Sequence, residues 1–135
     1  WDWLALQLDD GRDLMLYRLR RRDGSANPWS AGAMVAADGT ARPLAARDFR
    51  LEPLGVWSSP RGGTYPAGFR IEVPTEGLVL EVRPRVADQE LAPPVRYWEG
   101  AVSVAGSDAS GPVTGAGFLE MTGYAGAAQP LAASR

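Results

Sequence analysis

Residues 1–22, WDWLALQLDDGRDLMLYRLRRR, contain the strongest structural signal in this sequence. On both sides of Asp9-Asp10-Gly11, apolar and polar residues alternate, as they do in β-strands with one buried face. The Asp-Gly pair is typical of a tight hairpin turn. The sequence therefore predicts an antiparallel hairpin. Because its first strand begins at the first residue, we expect the chain to be a domain of a longer protein.

The same alternation continues along the chain. In residues 78–86, LVLEVRPRV, one face carries Leu78, Leu80, Val82, Pro84 and Val86, and the other carries Glu81, Arg83 and Arg85. Two earlier runs have the same pattern, and their expected inward residues are Phe49, Leu51, Phe69, Ile71 and Val73. Each of these segments is expected to be a strand with one buried and one wet face.

Glycine-containing turn signals between these runs predict roughly nine strands joined as consecutive hairpins. Such a sheet must close or fold over to hide its edges. We therefore predict an all-β, antiparallel barrel with little helix over residues 1–124, followed by a flexible tail over residues 125–135. The segment Gly115-Ala116-Gly117 precedes a strand rather than a helix, so it predicts close strand packing or a bulge and no phosphate-binding loop.

The composition excludes several classes of function. The 135 residues suffice for one domain. The net charge of −2, from 14 basic and 16 acidic residues, provides no positive electrostatic field that would attract nucleic acid. All the basic residues are arginine, and the chain has neither cysteine nor histidine. Disulfides, thiolate metal sites and Ser-His nucleophiles are thereby excluded. We expect no metal and no cofactor, and any chemistry must use carboxylates, tyrosine, hydroxyls or arginine.

Aromatic residues cluster in short motifs and are the candidates for ligand binding. In a β-barrel such side chains either fill the interior or line a cavity for an apolar ligand. An apolar small molecule is therefore the expected ligand. The candidate ligand-binding residues are Trp1, Trp3, Tyr17, Trp57, Tyr97, Trp98 and Tyr124.

Three carboxylates inside these motifs are the candidate catalytic residues. Glu99 shares a strand face with Tyr97, Glu120 shares one with Phe118, and Asp2 lies between two tryptophans. Apolar surroundings can raise the pKa of a carboxyl group and prepare it for proton donation. Alternatively, each carboxylate pairs with one of the many arginines across the sheet.

Three ordered motifs, WDWLALQLDDGRDLMLYRLR, YWEG and GFLEMTGY, resemble the C-terminal domain of the AttH-like, carotenoid 1,2-hydratase (hydroxyneurosporene synthase) group of lipocalin-related proteins. The resemblance covers nearly the whole chain. It implies a two-domain protein built from two calycin-like barrels, of which this domain is the second. The expected partners are then the apolar ligand and the N-terminal domain, with membrane association through the parent protein.

The resemblance also implies an activity and a location. Better-known members hydrate an isolated carbon-carbon double bond of a carotenoid, and others are described as secreted hydrolases or lipoproteins. A periplasmic, secreted or membrane-associated parent is therefore expected. In the family, a His-x-Trp segment lies shortly upstream of the position of Trp1, and this sequence starts after it. We therefore expect an apolar-ligand-binding domain, with a hydratase or a purely structural domain as the alternatives.

Overall fold

The computed structural model describes residues 1–91 and 96–125, and this part of the chain is almost entirely β-structure. Its strands are β1 (Asp2–Leu8), β2 (Asp13–Arg18), β3 (Ala31–Val35), β4 (Ala41–Ala45), β5 (Arg50–Pro53), β6 (Val56–Ser58), β7 (Thr64–Pro66), β8 (Phe69–Val73), β9 (Leu78–Pro84), β10 (Glu90–Leu91), β11 (Tyr97–Asp108) and β12 (Gly111–Thr122). Two short 3-10 turns cover Ala46–Asp48 and Pro74–Glu76. The prediction of an all-β fold with little helix is confirmed.

The predicted tail, residues 125–135, lies outside the described residues except for Ala125. Within residues 1–91 and 96–125, no helix combines the length and the apolar character needed to cross a membrane.

Nine strands form one curled antiparallel sheet in the order β4-β3-β2-β1-β12-β11-β9-β8-β5. Strand β10 pairs with one end of β11, and β6 and β7 form a separate two-stranded sheet. The curl makes a half-barrel, so the predicted antiparallel barrel of roughly nine strands is confirmed. Strands β1 and β12 lie in the middle of the strand order, where the opening hairpin and the last hairpin meet.

The opening hairpin forms as predicted. In it, β1 and β2 pair from Asp2 opposite Arg18 to Gln7 opposite Asp13. The turn contains Gly11 with a φ of 89°, a left-handed conformation that favours glycine. Local turn chemistry and strand alternation therefore agree on this register.

The two end strands, β4 and β5, have no ladder between them in the described structure. Each contains a proline, Pro43 in β4 and Pro53 in β5, and a proline cannot donate a hydrogen bond to a further strand. Leu44 and Leu51 of these strands belong to the same hydrophobic core. In the part of the chain that the structure describes, the sheet is therefore not closed by backbone pairing between its two end strands.

The concave face of the sheet is filled with apolar side chains. The residues predicted to point inward are buried up to Val82, and Arg83 is exposed as expected, but Val86 is exposed because β9 ends at Pro84. The inward aromatics Trp98, Tyr65 and Phe69 are almost completely buried. The interior is therefore plugged by the protein's own side chains.

Two glycines of β12 allow the sheet to curl tightly. A Cβ atom on Gly115 would collide with the backbone carbonyl oxygen of Gln7, and one on Gly117 with that of Ala5. The prediction that these glycines permit close strand packing is confirmed. A side chain at either position would force β1 and β12 apart, and glycines at such positions let a sheet bend.

We expect Gly117→Val to lower the free energy of unfolding by about 1–3 kcal/mol, because the added side chain collides with the backbone of β1. Urea unfolding measures this loss, with Ala116→Val on the neighbouring position as the matched control. Equal unfolding midpoints for Gly117→Val and the unmodified chain would contradict the close-packing account.

Candidate functional site

The sequence-predicted site residues fall into three groups in the structure. Trp1, Trp3, Tyr17, Tyr97, Glu99 and Glu120 lie at outward-facing positions of β1, β2, β11 and β12, or beside them. Asp2 and Tyr124 lie on the concave side at one end of the half-barrel, and Trp57 and Trp98 lie together elsewhere. From the first group, Trp3 and Glu99 line a hollow on the outer face, whereas Trp1, Tyr17, Tyr97 and Glu120 do not belong to its lining.

This hollow, here called the outer groove, has a volume of about 510 Å³ and lies over β1, β2 and β12. Trp3, Met15 and Phe118 supply its large apolar side chains, and Ala5 leaves room between them. In the ladders Ala5 lies opposite Met15 on one side and opposite Phe118 on the other. A small residue between two large ones therefore creates the groove.

Phe118 is 51% exposed although it lies in the middle of a long strand. An exposed large apolar side chain that lines a hollow marks a candidate binding surface. Trp3, on the same face, is only partly buried. The outer face of the sheet is thus apolar where a solvated face would be polar.

Two carboxylates lie beside the aromatic wall of the outer groove. Glu99 lines the groove, and the β11–β12 ladder places Glu120 directly opposite it and next to Trp3. The indole Nε1 of Trp1 donates a hydrogen bond to Glu120 at 2.9 Å. A hydrogen bond to Glu99 raises the pKa of Tyr97. Within the described residues, neither Glu99 nor Glu120 forms a salt bridge with an arginine. The predicted alternative, in which each carboxylate pairs with an arginine across the sheet, is therefore not observed for these two residues.

Asp2, in contrast, is completely buried in a network of charged groups. Its carboxylate accepts hydrogen bonds from Arg18 Nε at 2.9 Å, from Arg20 Nη1 at 2.5 Å and from the Tyr124 hydroxyl at 2.9 Å. Burial, followed by the charge of Asp2, raises the pKa of Tyr124. These are the contacts of a structural salt bridge, since both carboxylate oxygens are occupied by side chains of the fold.

The two arginines extend this network across the half-barrel. Arg18 Nη1 donates to the carbonyl oxygen of Leu51 at 2.8 Å, and its guanidinium carbon lies 5.4 Å from the centre of the Phe69 ring. Arg20 donates to the carbonyl oxygen of Thr122 and to the Tyr124 hydroxyl. Strands β1, β2 and β5 and the residues after β12 are therefore held together at one end.

A second buried carboxylate, Glu90, was not identified from the sequence. It accepts hydrogen bonds from the Tyr65 hydroxyl at 2.8 Å, from Arg61 Nε at 2.8 Å and from Arg96 Nη2 at 3.0 Å, and another from Ser59. Burial opposes ionisation, but these hydrogen bonds outweigh it and lower the pKa of Glu90 to about 2. No local pattern marks Glu90, because its partners come from distant loops and strands.

Trp57 and Trp98 line a smaller hollow of about 290 Å³ between the β6–β7 sheet and β9. Trp98 is only 1% exposed, and its indole Nε1 donates to the carbonyl oxygen of Ala87 at 2.8 Å. Its side chain mainly fills the core. A ligand-binding role for these two tryptophans stays a prediction.

Met15 and Ala5 line the outer groove but were not predicted as site residues from the sequence. The signal was present: LALQL and DLMLYR place an alanine and a methionine at the outward positions between inward leucines. Those outward positions were assumed to face water. An apolar residue on the expected wet face is the pattern that could have identified the groove.

Comparison with known proteins identifies relatives of this fold. A family model described as AttH-like matches residues 1–124. The crystal structure of a protein provisionally assigned as AttH from Nitrosomonas europaea matches 92% of this chain with a TM-score of 0.78 and 32% sequence identity. Kievitone hydratase from Nectria haematococca matches 90% of the chain with a TM-score of 0.74 at 18% identity, which shows the shared fold alone.

This chain spans only 38% of the length of each of those two proteins. Among curated proteins there is no significant match.

We expect Asp2→Asn to destabilise the fold by about 3–5 kcal/mol, because two partly buried guanidinium groups lose their shared carboxylate. Thermal or urea unfolding measures the loss. Asp13→Asn, an exposed position in the same hairpin, is the matched control. Asp2→Asn with unchanged stability would contradict the structural role and favour a catalytic one.

Glu90 should make stability depend on pH in the acid range. Because its pKa is lowered from 4.5 to about 2 in the folded state, the stability that it adds is complete above pH 4.5 and is lost as the pH falls towards 2. Unfolding curves measured at several pH values in this range give the free energy of unfolding at each pH. This free energy should depend less steeply on pH for Glu90→Gln than for Glu52→Gln, which changes an exposed residue and serves as the control. Parallel slopes for the two variants would contradict the assignment.

Proposed function

This chain belongs to the AttH-like family, as its motifs predicted, and on that basis we propose that it is a domain that binds an apolar small molecule on its outer face. The observation that supports the proposal is the outer groove, with its walls of Trp3, Met15 and Phe118. Its volume of about 510 Å³ falls within the range of about 300–1,000 Å³ that is usual for small-molecule sites.

The filled interior supports the outer face as the binding surface. The concave side is occupied by buried leucine, valine and aromatic side chains, so a ligand there would have to displace core residues. The outer groove needs no such displacement. A rigid sheet forms its floor, and an apolar ligand would cover the exposed ring of Phe118.

The rest of a longer AttH-like protein would cover the open side of the groove. The chain spans 38% of the length of its structural relatives, which leaves most of such a protein to supply a second wall. A ligand enclosed between this face and another domain would have more of its apolar surface removed from water than a ligand on the open sheet, and it would bind more tightly for that reason. We place the N-terminal domain of the parent there.

Hydration of an isolated carbon-carbon double bond is the second candidate function. It is favoured by the position of Glu99 in the groove wall and by the fold shared with kievitone hydratase. In such a reaction Glu99 or Glu120 would give a proton to one alkene carbon. Water would add its oxygen to the other carbon and return a proton to the carboxylate, with Tyr97 assisting.

Titration with 1-decanol tests the binding function, with tryptophan emission as the readout. Phe118→Ala leaves all the tryptophans in place and should weaken binding by about tenfold, because the ligand loses one apolar wall worth about 1.5 kcal/mol. Val86→Ala, which removes another exposed apolar side chain, is the control. A response that does not saturate, or equal affinities for the two variants, would contradict the proposal.

The hydratase candidate is tested in the full-length parent protein. Glu99→Gln or Glu120→Gln should lower turnover of a neutral alkene by about 100-fold while binding of that neutral substrate and stability hardly change, because the amide keeps its shape but has no proton to transfer. The 135-residue chain alone should show no hydration, since alkene protonation needs a dry site and the groove is open. Retained turnover in both glutamine variants would eliminate these residues as acids.

A further inference from the structure

The outer groove is lined mainly by apolar side chains, with Asp13 at the end next to Gln7 and Glu99 at the end towards Trp3. Glu99 and Glu120 lie directly opposite each other in the β11–β12 ladder, and both are partly buried. Like charges at directly opposed positions of a sheet destabilise it. The end of the groove towards Trp3 therefore has an unfavourable concentration of negative charge.

The hydrogen-bond donors that contact the two glutamates are neutral. Trp1 Nε1 donates to Glu120 at 2.9 Å, and the neutral Tyr97 hydroxyl is the group whose pKa is raised by its interaction with Glu99. The amino group of Trp1 donates instead to Thr122 Oγ1 at 2.8 Å. In the described part of the chain, no guanidinium group forms a salt bridge with either glutamate.

Other acidic residues of this arginine-rich chain do have cationic partners. Glu72 contacts Arg50 and Arg70, and Glu90 contacts Arg61 and Arg96. The lining of the outer groove, by contrast, contains Glu99 and Asp13 and, among the residues described, no arginine. The described arginines therefore leave the charge of the groove unpaired, and the cation that interacts electrostatically with Glu120 is the Trp1 ammonium, which donates its hydrogen bond to Thr122.

Aromatic rings surround the end of the groove towards Trp3. In the two ladders of β1, Trp3 lies opposite Glu120 on one side and opposite Tyr17 on the other. Phe118 lies two residues before Glu120 in β12, on the same face of the sheet. The face of an aromatic ring attracts cations, and the attraction increases when the cation is removed from water. Carboxylates and aromatic faces therefore favour the same kind of group, and they repel an anion.

We propose that the ligand of the outer groove has a cationic ammonium group at one end of an apolar body. The apolar body lies against Trp3, Met15 and Phe118, and the ammonium group lies between Glu99 and Glu120. This inference rests on the proposed function, because the same groove holds the apolar part. The bound cation relieves the repulsion between the two carboxylates, which a neutral ligand leaves in place.

Three probes with the same decyl chain test the proposal: decyltrimethylammonium, 1-decanol and decyl sulfate, each below its aggregation concentration. We expect the ammonium probe to bind the 135-residue chain at least about tenfold more tightly than the alcohol, and decyl sulfate to bind most weakly. Added salt should reduce the advantage of the ammonium probe and leave the affinity for 1-decanol nearly unchanged.

Charge-neutral variants locate the effect. Glu99→Gln with Glu120→Gln should abolish the preference for the ammonium probe and keep the affinity for 1-decanol. The single variants should each lose part of the preference, and they serve if the double variant is poorly folded. Glu52→Gln, on β5 at one end of the strand order, changes the net charge by the same amount as either single variant of the groove. It should keep the full preference for the ammonium probe.

The outcomes separate this inference from the proposed function. If 1-decanol binds saturably but decyltrimethylammonium binds no more tightly, the cationic ligand is wrong and the apolar groove stands. If Glu52→Gln reduces the preference as much as Glu99→Gln, the preference comes from net charge alone and the inference is also overturned. If none of the three probes binds saturably, both proposals fail.

Discussion

The buried salt bridge of Asp2 is the interaction on which the half-barrel depends. Its carboxylate joins Arg18, Arg20 and Tyr124, and Arg18 reaches on to the carbonyl oxygen of Leu51. A buried charge of this kind is costly unless every partner is in place. Since Arg18 lies directly opposite Asp2 in the ladder, a slip of one residue would move one of the two charges to the outer face. The network therefore favours a single register for the opening hairpin.

The same hairpin determines where a ligand has room. Its inward residues, such as Leu4 and Leu16, are fully buried and help to fill the concave side. Its outward residues, such as Trp3 and Met15, remain accessible and build the outer groove. Because side chains alternate strictly along a strand, one hairpin supplies both part of the core and part of the outer groove. Under the proposed function, the ligand would lie on the outer face of the sheet and not inside it.

Much of the candidate site was visible in the sequence, but not its position. Trp3 and Glu99 were identified from their motifs, and the structure brings both to the groove. Glu90 and Tyr65 were not identified, because their hydrogen bond joins residues that are 25 positions apart. The sequence also did not distinguish Asp2, whose carboxylate is paired with arginines, from Glu99, which lacks such a partner among the described residues. Each of these differences arises from contacts between segments distant along the chain.

The sequence by itself determined the strands, the turns, the inward faces and the family, because period-two alternation and glycine turns are local properties of the chain. Gly11 and the buried face from Leu78 to Val82 are examples. Only the tertiary structure decided that the sheet curls so tightly around its own side chains that the interior is full. It also decided which carboxylates have arginine partners. Curvature and charge pairing depend on how distant strands meet, and the alternation within any one strand contains no information about that meeting.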